Sequence, residues 1–362
     1  MQKKAALRKR LLQSGVDGIL ITNLDNVRYL TGFTGSSGFL IITKNIAIFV
    51  TDFRYQEQSK KEIKGFSIKI ETAERTETIK RLLEQHEIKN HATRRFLLGF
   101  EGNCISYQTY EKLRKKNIKL KALTNTIESM RLIKSQKEIS CIKTAIRRAE
   151  NAFRKLQPFI KVGTTEKKIA IRLEQLLKEE GCKIMPFGVI VASGRMSALP
   201  HAKPTNKVIK KGSLILFDWG GECEGYYSDM TRMVAVEGRH IKKQLQLYSI
   251  VLNAQGRAIE AVKPGVKSSV IDAAARNFIK QKGYDSYFGH GTGHGVGLAI
   301  HEKPVISWRN KEAVQEGMVF AVEPGIYLPD FGGVRIEDII CVTKKGAEVL
   351  TTLPRKLKII KG

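Results

Sequence analysis

The feature that most constrains how this 362-residue chain folds is a set of acidic residues placed against apolar runs in its second half. Asp218 ends the run that begins at position 214, Glu323 follows the run 319–322, and Glu337 stands just before another. Short apolar runs of this kind predict buried strands. A carboxylate placed there costs several kcal/mol unless it is paired or bound to a cation. One such acid would be explained by a strand end that reaches solvent or an arginine, but the set favours a shared cation site.

Asp229 and His294 extend this set to five candidate metal ligands. The negative charges of four carboxylates balance two divalent cations. Oxygen-rich ligation suits Mn2+, with Co2+, Zn2+ or Fe2+ as other occupants. Two such ions activate water and polarise a carbonyl, which is the two-metal route of aminopeptidases. The residue types therefore indicate a site for a pair of divalent metal ions.

The glycine-rich segment 289–297 adds histidines to this part of the chain. Its alternate glycines disfavour a helix, so the i, i+4 spacing of His290 and His294 does not indicate a zinc-binding helix. The segment also lacks the Lys-Ser/Thr ending of a phosphate loop. We interpret it as a strand or loop that lines a cleft, with His301 following it.

The chain divides into two regions with different patterns. The first third alternates short apolar runs with polar, helix-like stretches, which is typical of an α/β layer. Strands are predicted at 18–21, 38–42, 46–50, 66–70, 96–100 and 118–120, and helices at 80–87 and 107–116. A Ser-Gln-Lys-Glu capping box formed by Ser135 and Glu138 then begins a helix that runs toward Leu156. We therefore place the two domains at 1–130 and 131–362.

Segments 163–181 and 265–283 form a faint internal repeat, offset by 102 residues (265 minus 163). Each begins and ends with glycine and carries an apolar stripe at helical spacing. A strand-rich stretch follows each one. Two such half-units predict a curved antiparallel sheet with its helices on one side and a cleft on the other.

The net charge of +28 would suit a nucleic-acid or membrane surface. Lysine and arginine are spread over both halves of the chain in short clusters, which favours solvated faces over a polyanion site. We therefore expect no specific nucleic-acid partner and no membrane partner.

Five cysteines without a Cys-x-x-Cys pair argue against a disulfide framework or a thiolate metal site. The first 13 residues lack the apolar centre of a secretion signal, and no apolar run approaches the roughly 20 residues of a membrane span. We expect a cytoplasmic protein.

The order of the five candidate ligands, with Glu323 in Val-Glu-Pro-Gly and Glu337 in Arg-Ile-Glu-Asp, resembles the metallopeptidases with the pita-bread fold. Residues 1–130, notably 26–36, resemble the creatinase-type N-terminal domain of Xaa-Pro peptidases. The resemblance implies an α/β N-terminal domain followed by an α+β pita-bread catalytic domain with a curved antiparallel sheet and a pseudo-twofold repeat.

The same resemblance implies the role of each ligand. Asp218 is expected to bind one metal ion, His294 and Glu323 the other, and Asp229 and Glu337 are expected to bridge the two.

The resemblance also implies roles for side chains around the metal centre. His201, His290 and His301 are expected to line the substrate cleft, where they contact the scissile carbonyl or move protons. Arg335 is expected to act near the bridging carboxylate or at the far end of the substrate. Glu323 is expected to take part in general-base catalysis.

The expected reaction is hydrolysis of the bond between an N-terminal residue and a following proline. Segment 33–37 resembles short bacterial Xaa-Pro aminopeptidases, so that activity is preferred, with Xaa-Pro dipeptidase as the alternative. Family members are often homodimers, and a homodimer is expected. Methionine aminopeptidases and creatinases match less well, and a non-enzymatic pita-bread protein that binds nucleic acid or protein remains the alternative from another class.

Overall fold

The computed structural model describes residues 2–88, 95–114, 116–238 and 242–361. The chain separates into two compact units, Met1–Arg131 and Leu132–Gly362. Among the described residues, no helix combines the length and the apolar character needed to cross a lipid bilayer.

The described part of the first unit is built on a six-stranded mixed sheet. Its strands are β1 (Gly18–Ile21), β2 (Phe39–Thr43), β3 (Ala47–Thr51), β4 (Ser67–Ile70), β5 (Phe96–Glu101) and β6 (Ile118–Leu123). Their order across the sheet is β4-β3-β2-β1-β5-β6. An antiparallel meander of β1, β2 and β3 is flanked by the parallel pairs β3–β4, β1–β5 and β5–β6. The sheet is therefore the α/β layer that the alternating pattern predicts.

The described residues of this unit form six α-helices. They are α1 (Gln2–Gln13), α2 (Leu24–Thr31), α3 (Gln56–Glu62), α4 (Arg75–His86), α5 (Tyr107–Leu113) and α6 (Glu128–Arg131). The predicted helix 80–87 is the second half of α4, and the predicted helix 107–116 ends earlier, at Leu113, before residue 115, which lies outside the described residues. Helices α1, α2 and α3 were not predicted, because each is short or strongly charged and lacks a clear apolar stripe.

The second unit contains longer helices and most of the strands. Its α-helices in the described ranges are α7 (Gln136–Leu156), α8 (Glu166–Glu179), α9 (Lys242–Glu260) and α10 (Ser268–Gln281). The strands are β7 (Ile190–Ser193), β8 (Leu214–Trp219), β9 (Glu222–Cys223), β10 (Tyr226–Tyr227), β11 (Met230–Val236), β12 (Gly293–Gly295), β13 (Glu302–Ile306), β14 (Val319–Val322), β15 (Gly325–Leu328), β16 (Gly332–Arg335), β17 (Asp338–Thr343), β18 (Gly346–Val349) and β19 (Lys358–Ile360). Two sheets dominate, with the orders β19-β11-β8-β7 and β13-β12-β14-β17-β18. The predicted capping box begins α7: the Ser135 hydroxyl accepts from the Glu138 backbone N–H, and the Glu138 side chain accepts from that of Ser135.

The internal repeat is present in the backbone. Gly163 and Gly265, which precede α8 and α10, have φ of +89° and +87°. Gly181 and Gly283, which follow these helices, have φ of +92° and +83°. Glycine adopts such angles without the steric penalty of a Cβ atom, so the matched glycines mark the same turns in both half-units.

The helices do not all cover one side of the sheet, as the repeat had suggested. Along β8, Ile215 and Phe217 join the apolar core of α7 and α8, whereas Leu214 and Leu216 join the core of α9 and α10. Alternate residues of a strand point to opposite faces, so the two helix pairs cover opposite faces. Apolar side chains therefore cover both faces of β8, and Asp218 stands near the end of that strand.

Candidate functional site

The five expected metal ligands line a single cavity of about 1050 Å3 in the second unit. Two of them come from the four-stranded sheet. Asp218 lies near the end of β8, and Asp229 immediately precedes β11. The two strands pair antiparallel with Thr231 opposite Asp218, which sets the two acids side by side.

The other three come from the five-stranded sheet. Glu323 follows β14, Glu337 precedes its antiparallel neighbour β17, and His294 lies on β12, which pairs with β14 on its other edge. The Glu337 N–H donates to the Thr231 carbonyl at 3.2 Å, so a backbone bond joins the two half-units at the site.

Three of the carboxylates are almost inaccessible to water. Asp218, Asp229 and Glu337 are exposed by only 8%, 5% and 2%. One oxygen of each has no hydrogen-bond partner among the described residues. A buried acceptor without a partner is costly, and three such oxygens in one cavity indicate a site for a cation.

The close packing of these buried carboxylates also shifts their pKa values. Burial, followed by repulsion from Glu337, Asp218 and Glu323, raises the pKa of Asp229 well above its ordinary value. Burial and the neighbouring carboxylates likewise raise the pKa of Glu337. Burial is also the largest cause of the raised pKa of Glu323, although His290 and Arg335 oppose it. A bound cation would oppose these shifts, because it favours the ionised carboxylates.

His294 faces the carboxylates from β12. Its Nε2 lies 3.7 Å from Asp229 Oδ2 and 3.5 Å from Glu323 Oε1. Burial lowers its pKa, which favours the neutral imidazole that binds metals. Within the described parts of the chain, ligand atoms of Asp229, His294 and Glu337 all lie within 4.8 Å of one another.

All three guanidinium nitrogens of Arg335 donate hydrogen bonds at the site. Its Nη2 donates to Asp218 Oδ2 at 2.5 Å, its Nε to the Thr231 hydroxyl at 3.0 Å, and its Nη1 to the Tyr327 hydroxyl at 2.9 Å and the Pro200 carbonyl at 3.2 Å. Only 3% of the residue is exposed. The arginine therefore neutralises Asp218, and little of it is free to meet the far end of a substrate.

His290 belongs to a hydrogen-bonded chain that leads to Asp218. Its Nε2 lies 2.9 Å from the Tyr327 hydroxyl and its Nδ1 lies 2.7 Å from the Gly291 carbonyl. Since the Tyr327 oxygen already accepts from Arg335, its proton is directed at Nε2, and the Nδ1 proton is directed at Gly291. Burial also lowers the pKa of His290, in agreement with a neutral ring.

The two remaining cleft histidines are more accessible. His301 packs edge-on against His294 with ring centroids 4.3 Å apart, and burial and that neighbour lower its pKa. His201 follows Pro200 in an exposed loop that lines the same cavity. All the site residues that were predicted from sequence thus come together, while their individual roles stay predictions.

Two side chains of the site were not among the predicted site residues. Tyr327 links His290 to Arg335, and Thr231 donates to Glu337 Oε2 at 2.8 Å while accepting from Arg335. Thr231 stands two positions after Asp229, on the same face of its strand, and that spacing was a usable signal. Phe187 also lines the cavity.

Two family models match the two units of the chain. Residues 140–344 match the model of metallopeptidase family M24, and residues 3–133 match that of the creatinase/prolidase N-terminal domain. This chain belongs to metallopeptidase family M24. It therefore has the expected creatinase-type N-terminal domain and pita-bread catalytic domain, with a curved antiparallel sheet and a pseudo-twofold repeat.

Three relatives of this M24 peptidase show how far the likeness extends. An Xaa-Pro dipeptidase of Pyrococcus horikoshii is 39% identical over 95% of each chain. An Xaa-Pro dipeptidase structure from Bacillus anthracis has a TM-score of 0.93, with 39% identity and 99% of each chain covered. An X-Pro aminopeptidase structure from Thermotoga maritima has a TM-score of 0.86, with 37% identity over 96% of this chain and 98% of the other.

The residues of the cavity fit the divalent cations that a metallopeptidase uses. The three unpartnered oxygens of Asp218, Asp229 and Glu337 are hard oxygen ligands, and His294 offers a neutral nitrogen beside them. Bound there, a cation would satisfy the buried acceptors and relieve the repulsion that raises the carboxylate pKa values.

Proposed function

We propose that this M24 peptidase is an Xaa-Pro dipeptidase that acts with two divalent metal ions, of which Mn2+ suits the oxygen-rich ligands best. The observation that carries the proposal is the cavity on which the four ligand carboxylates and four histidines converge. The chain is also similar at 39% identity, over almost its full length, to proteins described as Xaa-Pro dipeptidases.

The proposal reverses the order of preference drawn from the sequence, which placed the aminopeptidase first. That preference depended on segment 33–37 alone. A dipeptidase needs a cation for the carboxylate of the proline, and Arg335 is engaged with Asp218 and Tyr327. Lys167 and Lys203 also line the cavity, are exposed and are better placed to meet that carboxylate.

In the proposed mechanism, Asp218 would hold one cation, His294 and Glu323 would hold the other, and Asp229 and Glu337 would be shared between the two. When bound, the cations supply Lewis acidity, which lowers the pKa of water and polarises the scissile carbonyl. Glu323, which lines the cavity beside His294, accepts the proton of the attacking water.

Cleavage of the peptide bond also requires a proton for the leaving group and hydrogen-bond donors for the carbonyl oxygen. The leaving group is the ring nitrogen of proline, which has no N–H in the peptide and must gain a proton as the bond breaks. Glu323 returns its proton to that nitrogen. His301, which burial keeps neutral, donates a hydrogen bond to the carbonyl oxygen as negative charge develops there. His290, whose single ring N–H is directed at the Gly291 carbonyl, contacts the substrate as part of the cleft wall.

The test measures kcat/KM of the Mn2+-loaded protein for Ala-Pro and Leu-Pro, and compares it with kcat/KM for Arg-Pro-Pro and longer peptides. We expect kcat/KM to be higher for the dipeptides, chelation to abolish cleavage, and N-acetylated dipeptides to resist it. Equal or faster cleavage of longer peptides would establish the aminopeptidase instead. That second function is favoured by the cavity volume, which reaches the upper end of the range of about 300–1,000 Å3 typical of small-ligand sites.

A further inference from the structure

Helix α10 carries a buried ion pair directed at the glycine-rich segment. Asp272 and Arg276 stand one turn apart, and Arg276 Nε and Nη2 donate to the two Asp272 oxygens at 2.7 and 2.9 Å. Asp272 is fully buried, and the Arg276 side chain is 18% exposed. Neither residue lines the cavity, so neither belongs to the site described above.

The pair holds three alternate residues of the segment that carries the site histidines. Arg276 Nη1 donates to the Phe288 carbonyl and Nη2 to the His290 carbonyl, both at 2.7 Å. Asp272 Oδ1 accepts from the Thr292 N–H at 3.1 Å and from its hydroxyl at 2.8 Å. The segment has glycine at 289, 291, 293, 295 and 297, and glycine leaves a backbone with little conformational preference of its own.

We propose that Asp272 and Arg276 are positioning residues of the hydrolytic site, and that they act through two separable sets of contacts, the Arg276 arm and the Asp272 arm. The Arg276 arm fixes His290 against Tyr327. The Asp272 arm fixes Thr292, whose carbonyl accepts from the Glu323 N–H at 2.7 Å, and so sets the distance between β12, which bears His294, and Glu323. The first arm acts on turnover and the second on metal affinity. The turnover part rests on the proposed function.

The hydrogen bonds and ring contacts of Arg276 explain why this position holds an arginine. A guanidinium presents five N–H donors in a planar fork, and this one directs four hydrogen bonds to Asp272, Phe288 and His290. Its face also packs on the rings of Phe288 and Trp308, at 4.2 and 4.4 Å. A lysine ammonium is a point charge that cannot keep both the fork and the stacking, so Arg276→Lys is expected not to restore function.

The experiment measures kcat, KM and Co2+ binding by absorption spectroscopy in full-length variants. Arg276→Gln should lower kcat by about 10- to 100-fold, because displacement of a catalytic group by an ångström has effects of that size. Its KM, Co2+ affinity and Co2+ spectrum should match those of the wild type. Thr292→Val should instead weaken Co2+ binding by about 10-fold and alter the spectrum, as loss of an indirect ligand contact does. Asp272→Asn should show both effects.

The chain offers a matched control on α7. Glu150 and Arg154 form the same i, i+4 pair, and buried Glu150 accepts from Thr352 and Leu353 in a loop away from the cavity. Arg154→Gln should change neither kcat nor the Co2+ spectrum, whatever it does to the melting temperature.

Each arm has an outcome that would overturn it. Wild-type kcat in the folded fraction of Arg276→Gln would refute the first arm, and an unchanged Co2+ spectrum in both Thr292→Val and Asp272→Asn would refute the second. If Arg276→Gln does not fold, Arg276→Lys decides the first arm, and wild-type kcat in it would refute that arm. If the wild type cleaves no Xaa-Pro peptide, the proposed function fails, while the Co2+ readout still decides the second arm.

Discussion

His294 and His301 contact each other, yet the proposed function gives them different roles. His294 points at Asp229 and Glu323, and is nearly as buried as these acids. His301 is more accessible and packs edge-on against the His294 ring. The proposed metal ligand and the proposed donor to the oxyanion are therefore neighbours whose roles experiment can separate.

His294→Ala should lose Mn2+ binding and activity together. His301→Ala should keep Mn2+ and lose turnover by about 100-fold or more, which is the usual effect of removing a donor to a developing oxyanion. Metal analysis by mass spectrometry beside steady-state kinetics distinguishes the two variants. Equal loss of metal in both would mean that His301 is a ligand.

Strands β12 and β14 approach each other at Gly293 more closely than any side chain would allow. A Cβ atom added to Gly293 would overlap the Ala321 carbonyl oxygen. Gly289, in the same segment, has nothing within 4 Å of the equivalent position. The glycines thus have different structural roles, and the one beside His294 permits the contact that places His294 near Glu323.

Gly293→Ala should therefore separate β12 from β14, at a cost of about 1–3 kcal/mol in unfolding free energy. It should also weaken Mn2+ binding, because His294 moves away from the carboxylates. Gly289→Ala is the matched control and should bind Mn2+ like the wild type. Urea unfolding and Mn2+ titration measure the two effects, and equal behaviour of both variants would show that the strand contact does not set the metal site.

At the level of the whole molecule, metal binding and folding stability are linked through the buried acids. In metal-free protein, the raised pKa values of Asp229, Glu323 and Glu337 mean that the folded state keeps protons that the unfolded chain has released. The contribution of these acids to stability is full below the unfolded pKa of about 4 and is lost as pH rises through the folded pKa values. A bound cation removes this penalty and also stabilises the fold by binding only the native state.

The three acids should accordingly lower the melting temperature of chelator-treated protein as pH rises above their unfolded pKa of about 4, and saturating Mn2+ should remove that effect. Metal-free Asp229→Asn should melt higher than metal-free wild type at the upper pH, because one repelling charge is gone, and it should gain little from Mn2+. Calorimetry across the pH range measures both effects. Identical pH dependence of the two metal-free proteins would contradict the linkage.

Some properties of the molecule stay predictions. They are the domain boundaries at 1–130 and 131–362, the homodimer and the cytoplasmic location. The basic composition, at +28, has no explanation in the site.

Much of the site could be predicted from the sequence because its acidic residues stand next to apolar runs, where a charged group is costly to bury. Asp218 and Glu323 stand against apolar runs that predict strands, so their need for a counter-charge follows from the order of residues alone. The matched glycines at 163 and 265 similarly revealed two half-units, since both stand at turns that require a positive φ.

Only the tertiary structure decided which distant side chains complete the site. Tyr327 and the pair Asp272–Arg276 have no unusual local sequence, and their roles come from contacts between strands and helices that pair far along the chain. The sequence placed all helices on one side of the sheet, because periodicity shows that a helix has a buried face but not which face of the sheet it covers. Local chemistry thus predicted the candidate ligands, whereas long-range packing determined how those side chains are held.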